Sequence, residues 1–166
     1  PRRMCGLVGT YKGPDQLVAD GVVALRHRGP DGEGIEQEGP TIHGHTRLAL
    51  WDLTTASAQP FRYNGGLLSY NGELWDHPRL RDELENLGHH FRTTGDTEVV
   101  AAALAEWGTD ALPKLEGMWA LAWSHKGKHI VARDRFGKVP IYAARSKGWF
   151  AWASERKALG NLRGAA

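Results

Sequence analysis

Cysteine is almost absent: Cys5 is the only one in 166 residues. An internal disulfide framework and an all-cysteine zinc site are therefore excluded. A lone thiol fits a reducing, cytoplasmic compartment better than an oxidising one. No apolar run approaches the ~20 residues of a membrane-spanning helix. No apolar segment follows Arg2-Arg3, so nothing in that stretch reads as a secretory signal. Excess charge is also missing. A net +2 is too small to point to nucleic acid or a membrane surface, and neither is expected as a partner. No strand–helix unit carries a Gly-rich phosphate loop, so no nucleotide cofactor is expected in these residues. His43, His45, His89 and His90 lack a nearby set of carboxylates; they read as structural or solvent-facing, and no metal is expected. Repeats, low-complexity tracts and linkers are lacking as well.

What is present suits one globular domain. Hydrophobic residues make up 41 % and charged ones 24 %, ordinary values for a chain with a sizeable core. Residues 5–11 read as a short buried strand and Gly13-Pro14 breaks it. Asp15 is a candidate cap for a helix with Leu17, Val18, Val22 and Leu25 at helical spacing. Gly29-Pro30-Asp31-Gly32 is a turn, and strands are expected at 34–38 and 41–50. Residues 52–65 read as irregular, with Asn64-Gly65-Gly66 as turn markers. Leu67 to Tyr70 is a strand running into Asn71-Gly72, an ordinary turn dipeptide. Pro78 opens a helix whose apolar face is Leu80, Leu84 and Leu87, with Gly88 after its end. His89 to Arg92 reads as a strand. A helix capped by Asp96 or Thr97 runs to Trp107. Apolar runs at 117–123, 129–133, 141–144 and 149–153 suggest a four-strand meander with hairpin loops at Lys126-Gly127-Lys128 and Lys147-Gly148. Glu155 to Leu159 starts a last helix, and 161–166 reads as a frayed end. Together this is an α/β or α+β layered fold with mostly antiparallel pairing. The Met118-to-Trp123 stripe reads as core.

Cys5 follows Met4. If the chain is trimmed there, Cys5 carries a thiol nucleophile and a free α-amine on one residue. An α-amine titrates at about 7.7–8.0, low enough to accept a proton near neutral pH, and an N-terminal amine is a known activator of a neighbouring nucleophile. Taken alone, a single cysteine reads equally as a small buried hydrophobe.

The chain resembles, over nearly its whole length, the glutaminase domain of class II glutamine amidotransferases, in the asparagine-synthetase-like branch of the N-terminal-nucleophile (Ntn) hydrolases. The resemblance is carried by Cys5-Gly6-Leu7-Val8-Gly9, Arg26-His27-Arg28-Gly29-Pro30-Asp31, His45-Thr46-Arg47-Leu48-Ala49-Leu50 and Gln59-Pro60. It continues through Asn71-Gly72-Glu73-Leu74, Gly95-Asp96-Thr97-Glu98, Gly117-Met118-Trp119-Ala120-Leu121-Ala122 and Ala132-Arg133-Asp134-Arg135-Phe136-Gly137. Pro140-Ile141-Tyr142 and Ala153-Ser154-Glu155-Arg156-Lys157-Ala158-Leu159 complete it. Each motif is weak; their common order is specific. The resemblance implies an α+β, four-layer αββα sandwich and hydrolysis of L-glutamine to L-glutamate and ammonia through a γ-glutamyl thioester. It implies Cys5 as nucleophile, and the Asn71 amide with the Gly72 N–H as oxyanion hole. Arg47 is implied to clamp the α-carboxylate, Asp96 to hold the α-ammonium and Glu73 to assist. The backbone of Leu48, Ala49, Leu50 and Trp51 is implied to line the pocket. The Arg26–Asp31 segment is expected to shape the pocket floor or a salt-bridged turn.

The sequence departs from the family pattern in three places. Pro1 to Met4 precede Cys5. They read as an N-terminal extension to the domain at 5–166: a cleaved pro-segment, a mis-called start or an expression remnant. While they remain, Cys5 has a peptide nitrogen and no amine base. The Ser-Gly-Gly-x-Asp-Ser loop of an ATP-using synthetase domain does not occur, so ATP and magnesium belong only to a synthetase domain or subunit that would accept the ammonia. Thr46 stands where a glutamate is common, with a small effect expected. The competing reading is a catalytically silent scaffold or glutamine sensor of the same fold.

Overall fold

A computed structural model describes residues 4–48 and 58–160. In chain order the elements are β1 (Gly6–Tyr11), α1 (Asp15–Leu25), β2 (Gly32–Glu38), β3 (Thr41–Arg47), β4 (Phe61–Tyr63), β5 (Gly66–Leu74), α2 (His77–Asn86) and α3 (Asp96–Trp107). They continue with a 3-10 segment (Gly108–Lys114), β6 (Gly117–His125), β7 (Lys128–Arg133), β8 (Tyr142–Ser146), β9 (Trp149–Ala153) and a 3-10 turn (Arg156–Leu159). The strands form a five-stranded sheet in the order β2-β3-β1-β9-β8 and a four-stranded sheet in the order β4-β5-β6-β7. All the pairings are antiparallel.

The layers follow from the alternation of side chains across each strand. On β5, Leu68, Tyr70 and Leu74 join Trp119, Leu121 and Trp123 of β6 under Leu80, Leu84 and the buried face of α3. On the other sheet, Val8, Ala151 and Ala153 pack under Val18, Val22 and Leu25 of α1. The remaining faces meet each other. Leu7 packs with Ala120 and Val139, and buried His43 reaches Ser69 Oγ (3.3 Å) and Ser124 Oγ (2.8 Å) in the opposite sheet. The result is the expected four-layer αββα sandwich. Gly44 lets α1 lie close on the sheet, because a Cβ there would press on Val8, Val18 and Val22.

Several local expectations change. The four C-terminal strands are not one meander: β6 and β7 complete one sheet, while β8 and β9 join the other. The 134–141 connection crosses between sheets around Asp134, whose carboxylate accepts the N–H groups of Phe136, Lys138, Val139 and Trp119. Asn71-Gly72 is not a turn but strand interior, since β5 continues to Leu74 against β6. A short strand, β4, lies inside the stretch read as irregular. Asn64 and Gly65, both with positive φ, turn it into β5. Residues 89–92 form no strand; His89 instead binds Tyr63 OH (2.7 Å) and Glu106 (2.9 Å). Leu87 is half exposed at the end of α2. Pro14 and Gly95, not Asp15 and Asp96, occupy the two helix caps. The last helix is a single 3-10 turn. Residues 49–57 and 161–166, with the expectations placed on them, lie outside the described residues. Among the described residues no helix is long and apolar enough to cross a membrane.

Candidate active site

Cys5 sits just before β1. The β1–β3 register, with Gly6 opposite Thr46, brings it beside Arg47 and Leu48 at the end of β3. The Leu48 N–H donates to Cys5 Sγ at 3.4 Å, and Sγ approaches the Leu48 carbonyl at 3.8 Å. Burial pushes the thiol pKa above its ordinary value, while the Leu48 N–H and the charges of Arg47 and Arg28 work against that rise. Arg28 is held hard against this end of the strand. Its Nε donates to the Cys5 carbonyl (3.0 Å) and its Nη1 to Glu155 (3.0 Å). Burial acts to raise the Glu155 pKa, but hydrogen bonds from Arg28, His27 and Lys157 outweigh it and hold the group at about 2. Ser154 grips Leu7 from both sides: the Leu7 N–H donates to Ser154 Oγ (2.9 Å) and the Ser154 N–H to the Leu7 carbonyl (2.8 Å). The thiol is thus carried on a strand end fixed by three neighbouring segments. Arg26–Asp31 forms the salt-bridged turn expected of it, and Arg26 pairs with Glu33.

The second wall is β5. The Trp75 N–H donates to the Glu116 carbonyl (2.9 Å), which sets the phase of the β5–β6 ladder. Residues 71 and 73 exchange hydrogen bonds with β6, so Tyr70, Gly72 and Leu74 turn their backbone groups to the other edge. The neighbours obey this: the Tyr70 N–H donates to Gln59 Oε1 (2.6 Å) and the Leu74 N–H to Asp96 Oδ2 (3.0 Å). β4 pairs with β5 only through Leu68, so the Gly72 N–H lies beyond that cover, on an exposed residue. A Cβ at Gly72 would overlap the backbone of Met118 and Trp119; only glycine fits there. The Asn71 side chain points the same way as Ser69, into the space between the sheets, and is 4 % exposed. Its Nδ2 is buried and has no hydrogen-bond partner among the described residues. A buried amide left in this state costs about 1–3 kcal/mol, a cost that an acceptor on a bound ligand would remove.

Asp96 opens α3, but its carboxylate turns toward β5, where it accepts from the Tyr70 hydroxyl (2.9 Å) and the Leu74 N–H. Tyr70 is the residue that ties the halves together. Burial, then the negative charge of Asp96, raises its pKa well above the ordinary value, and the charges of Glu73 and Cys5 also act on it. Glu73 is exposed at the end of β5. Cys5, Arg47, Leu48, Asn71, Gly72, Glu73 and Asp96 therefore lie along one end of the paired sheets. Ala49, Leu50 and Trp51 lie outside the described residues. Thr46 is buried and donates to the Leu25 carbonyl (3.2 Å), so it serves helix packing. Among the described residues no three of His, Cys, Asp or Glu gather as a metal site. His43 and His45 are buried between the sheets, and burial lowers their pKa values to about 3 and 4.

Sequence reasoning did not single out Arg28, Glu155, Tyr70 or Gln59. All but Tyr70 stand inside quoted motifs, yet nothing in a one-dimensional pattern shows that they converge on Cys5 and Gly72.

A family model described as glutamine amidotransferase domain matches residues 4–166. The chain belongs to that family. Asparagine synthetase [glutamine-hydrolyzing] 1 of Bacillus subtilis is 35 % identical over 168 residues, covering 94 % of this chain and 26 % of that protein. Asparagine synthetase B of Escherichia coli is 39 % identical over 141 residues, covering 81 % of this chain and 25 % of that protein. The chain thus spans about a quarter of the length of these curated relatives. Among solved structures, the glutamine phosphoribosylpyrophosphate amidotransferase of B. subtilis superposes with a TM-score of 0.80 at 25 % identity, over 98 % of this chain and 44 % of that one. The Ntn amidotransferase fold and the asparagine-synthetase-like branch read from the motifs are both supported by these relatives.

Proposed function

We propose that this amidotransferase domain hydrolyses L-glutamine to L-glutamate and ammonia on Cys5. The observation that carries the reading is the buried Asn71 Nδ2, without a hydrogen-bond partner among the described residues, beside the edge-facing Gly72 N–H, at the same end of the sandwich as the chain's only thiol. The Cys5 sulfur attacks the side-chain amide carbon. The carbonyl π pair moves to oxygen, where Asn71 Nδ2 and the Gly72 N–H receive it. The α-amine of Cys5, free once residues 1–4 are removed, takes the thiol proton and returns it to the departing ammonia. Water then cleaves the thioester, giving glutamate and restoring the thiol. Arg47 holds the α-carboxylate by charge-assisted hydrogen bonds, Asp96 and Glu73 hold the α-ammonium, and the Leu48 backbone lines the pocket. Ammonia passes to a synthetase domain or subunit, with asparagine synthesis the outcome suggested by the relatives' names; ATP and magnesium act only there. The single unpaired cysteine supports a cytoplasmic location.

The test is ammonia release from glutamine by protein whose N-terminus is verified by mass as Cys5. Turnover that Cys5→Ala abolishes, with glutamine binding retained, is expected. Full activity in Cys5→Ala, or glutamine binding without turnover in the trimmed wild type, would overturn the catalytic reading; the second result would favour a silent sensor.

A further inference from the structure

The free edge of β5 is held by side chains where a neighbouring strand would ordinarily hold it. β4 ends its pairing at Leu68, and the next edge groups are the N–H and C=O of Tyr70. The N–H donates to Gln59 Oε1 at 2.6 Å, and the C=O accepts from His45 Nε2 at 3.3 Å. Beyond Gly72, the Leu74 N–H goes to Asp96. Gln59 is itself wedged between the sheets. A Cβ on Gly34 of β2 would press on the Gln59 carbonyl, so this glycine marks a close approach of the Gln59 backbone to the other sheet. One residue therefore touches β2 with its backbone and carries the β5 edge on its side chain, two positions before Gly72.

We propose that Gln59 is a positioning residue for the oxyanion hole. It takes the place of a strand neighbour, which Tyr70 lacks among the described residues, and so fixes the pleat that aims the Gly72 N–H and the Asn71 amide at the developing oxyanion. Three observations favour this over plain packing. Tyr70 is buried, so its N–H needs an acceptor. The Gln59 side chain is the acceptor for that N–H. The edge group next along the strand is the candidate catalytic donor. Without Gln59, Tyr70 N–H would seek water or another acceptor and the strand edge would shift. A displacement of about 1 Å at a catalytic group can cost on the order of a hundredfold in rate.

The proposal rests on the glutaminase reading, so the experiment separates the two. The full protein with Cys5 as N-terminus is assayed as wild type, Gln59→Ala and Gln59→Glu, recording kcat and KM for glutamine and inhibition by the product glutamate. Glutamate fills the same α-amino-acid contacts but forms no tetrahedral oxyanion in simple binding. In Gln59→Ala, kcat is expected to fall about ten- to a hundredfold, while KM and the glutamate inhibition constant stay within about twofold. Gln59→Glu keeps an oxygen acceptor for the Tyr70 N–H and is expected to recover most of kcat. Unchanged kcat in Gln59→Ala overturns the proposal. So does a parallel loss of kcat and glutamate affinity, or a loss that Gln59→Glu does not recover, because either marks general structural damage. An inactive wild type defeats the glutaminase reading instead.

Discussion

Asn71→Ala separates catalytic from structural use of a buried amide more cleanly than any other substitution in this protein. In most buried sites, removing a polar side chain breaks hydrogen bonds and lowers stability. Here Nδ2 has no partner among the described residues, so its removal takes away a desolvated donor that costs about 1–3 kcal/mol. Against that stand the lost packing contacts of a side chain that is 4 % exposed, a cost of similar size. The two nearly cancel, and the melting temperature is expected to change by only a few degrees, since 1 kcal/mol corresponds to about 2–4 °C in a domain of this size. The effect on rate has no such compensation. Loss of one oxyanion donor costs about 3 kcal/mol, or roughly a hundred- to a thousandfold in kcat. Thermal unfolding and steady-state ammonia release on the same sample measure both. Near-wild-type kcat, or a melting point lower by more than about 10 °C, would refute the reasoning. The first outcome would remove Asn71 from the oxyanion hole, and the second would make it a structural residue.

Other expectations follow from the charged and titrating groups. His43 and His45 have folded pKa values of about 3 and 4, below the ~6.5 of an unfolded histidine. The unfolded chain thus binds more protons below pH 6.5, and stability falls as pH drops from about 6.5 toward 4, by up to ~1.4 kcal/mol per pH unit for each histidine. Urea midpoints at pH 7, 6 and 5 should show this slope, and His43→Gln should reduce it by about half; an unchanged slope would rule out His43 as a source. Glu155 acts with the same sign, over a lower pH range. Its pKa of about 2 adds stability above the unfolded value near 4.5, lost as pH falls through that range. Its partial exposure limits this to about 1 kcal/mol, so Glu155→Gln should cost that much at pH 7, less as pH falls below about 4.5, and little once pH reaches about 2. Arg28→Gln should raise the Cys5 thiol pKa, because the Arg28 charge lowers it, and should loosen the Cys5 carbonyl. The pH dependence of iodoacetamide alkylation measures this, and a downward shift would contradict the assignment.

The local rules that located the elements failed where tertiary pairing decides. Leu17 to Leu25 and Val100 to Trp107 carry helical spacing, and both helices stand where the spacing puts them. Asn71-Gly72 has turn chemistry, yet it lies inside β5, because eight successive residues of β6 face it across the ladder. Pairing at that distance in sequence overrides a dipeptide preference. The split of the last four strands was equally hidden. The Asp134 loop that carries the chain from one sheet to the other is held by backbone hydrogen bonds to one carboxylate, a device with no periodicity. The site shows the same division. Cys5, Arg47, Asn71 and Asp96 were readable through the resemblance, since each stands in a motif. Arg28, Tyr70, Gln59 and Glu155 act by holding those residues, and such support is visible only once the segments meet.

The supporting contacts also explain why the site sits at the sheet ends. A nucleophile on a strand interior would be enclosed by both neighbours. Cys5 precedes the first paired residue of β1 and so keeps an open side, but a strand end frays unless it is tied. Arg28 and Ser154 supply the ties from α1's exit and from β9's exit, while the sulfur itself makes weak contacts to Leu48. The same logic governs β5. Its end must expose Gly72 while keeping the strand straight, and side chains of Gln59, His45 and Asp96 hold the edge where, among the described residues, no strand pairs beyond Leu68. A neighbouring strand extended past Leu68 would satisfy those groups better and would cover the Gly72 N–H. The short β4 is therefore a condition of the proposed catalysis: lengthening its pairing by four residues, to the position opposite Gly72, would stabilise the sheet edge and close the proposed oxyanion hole.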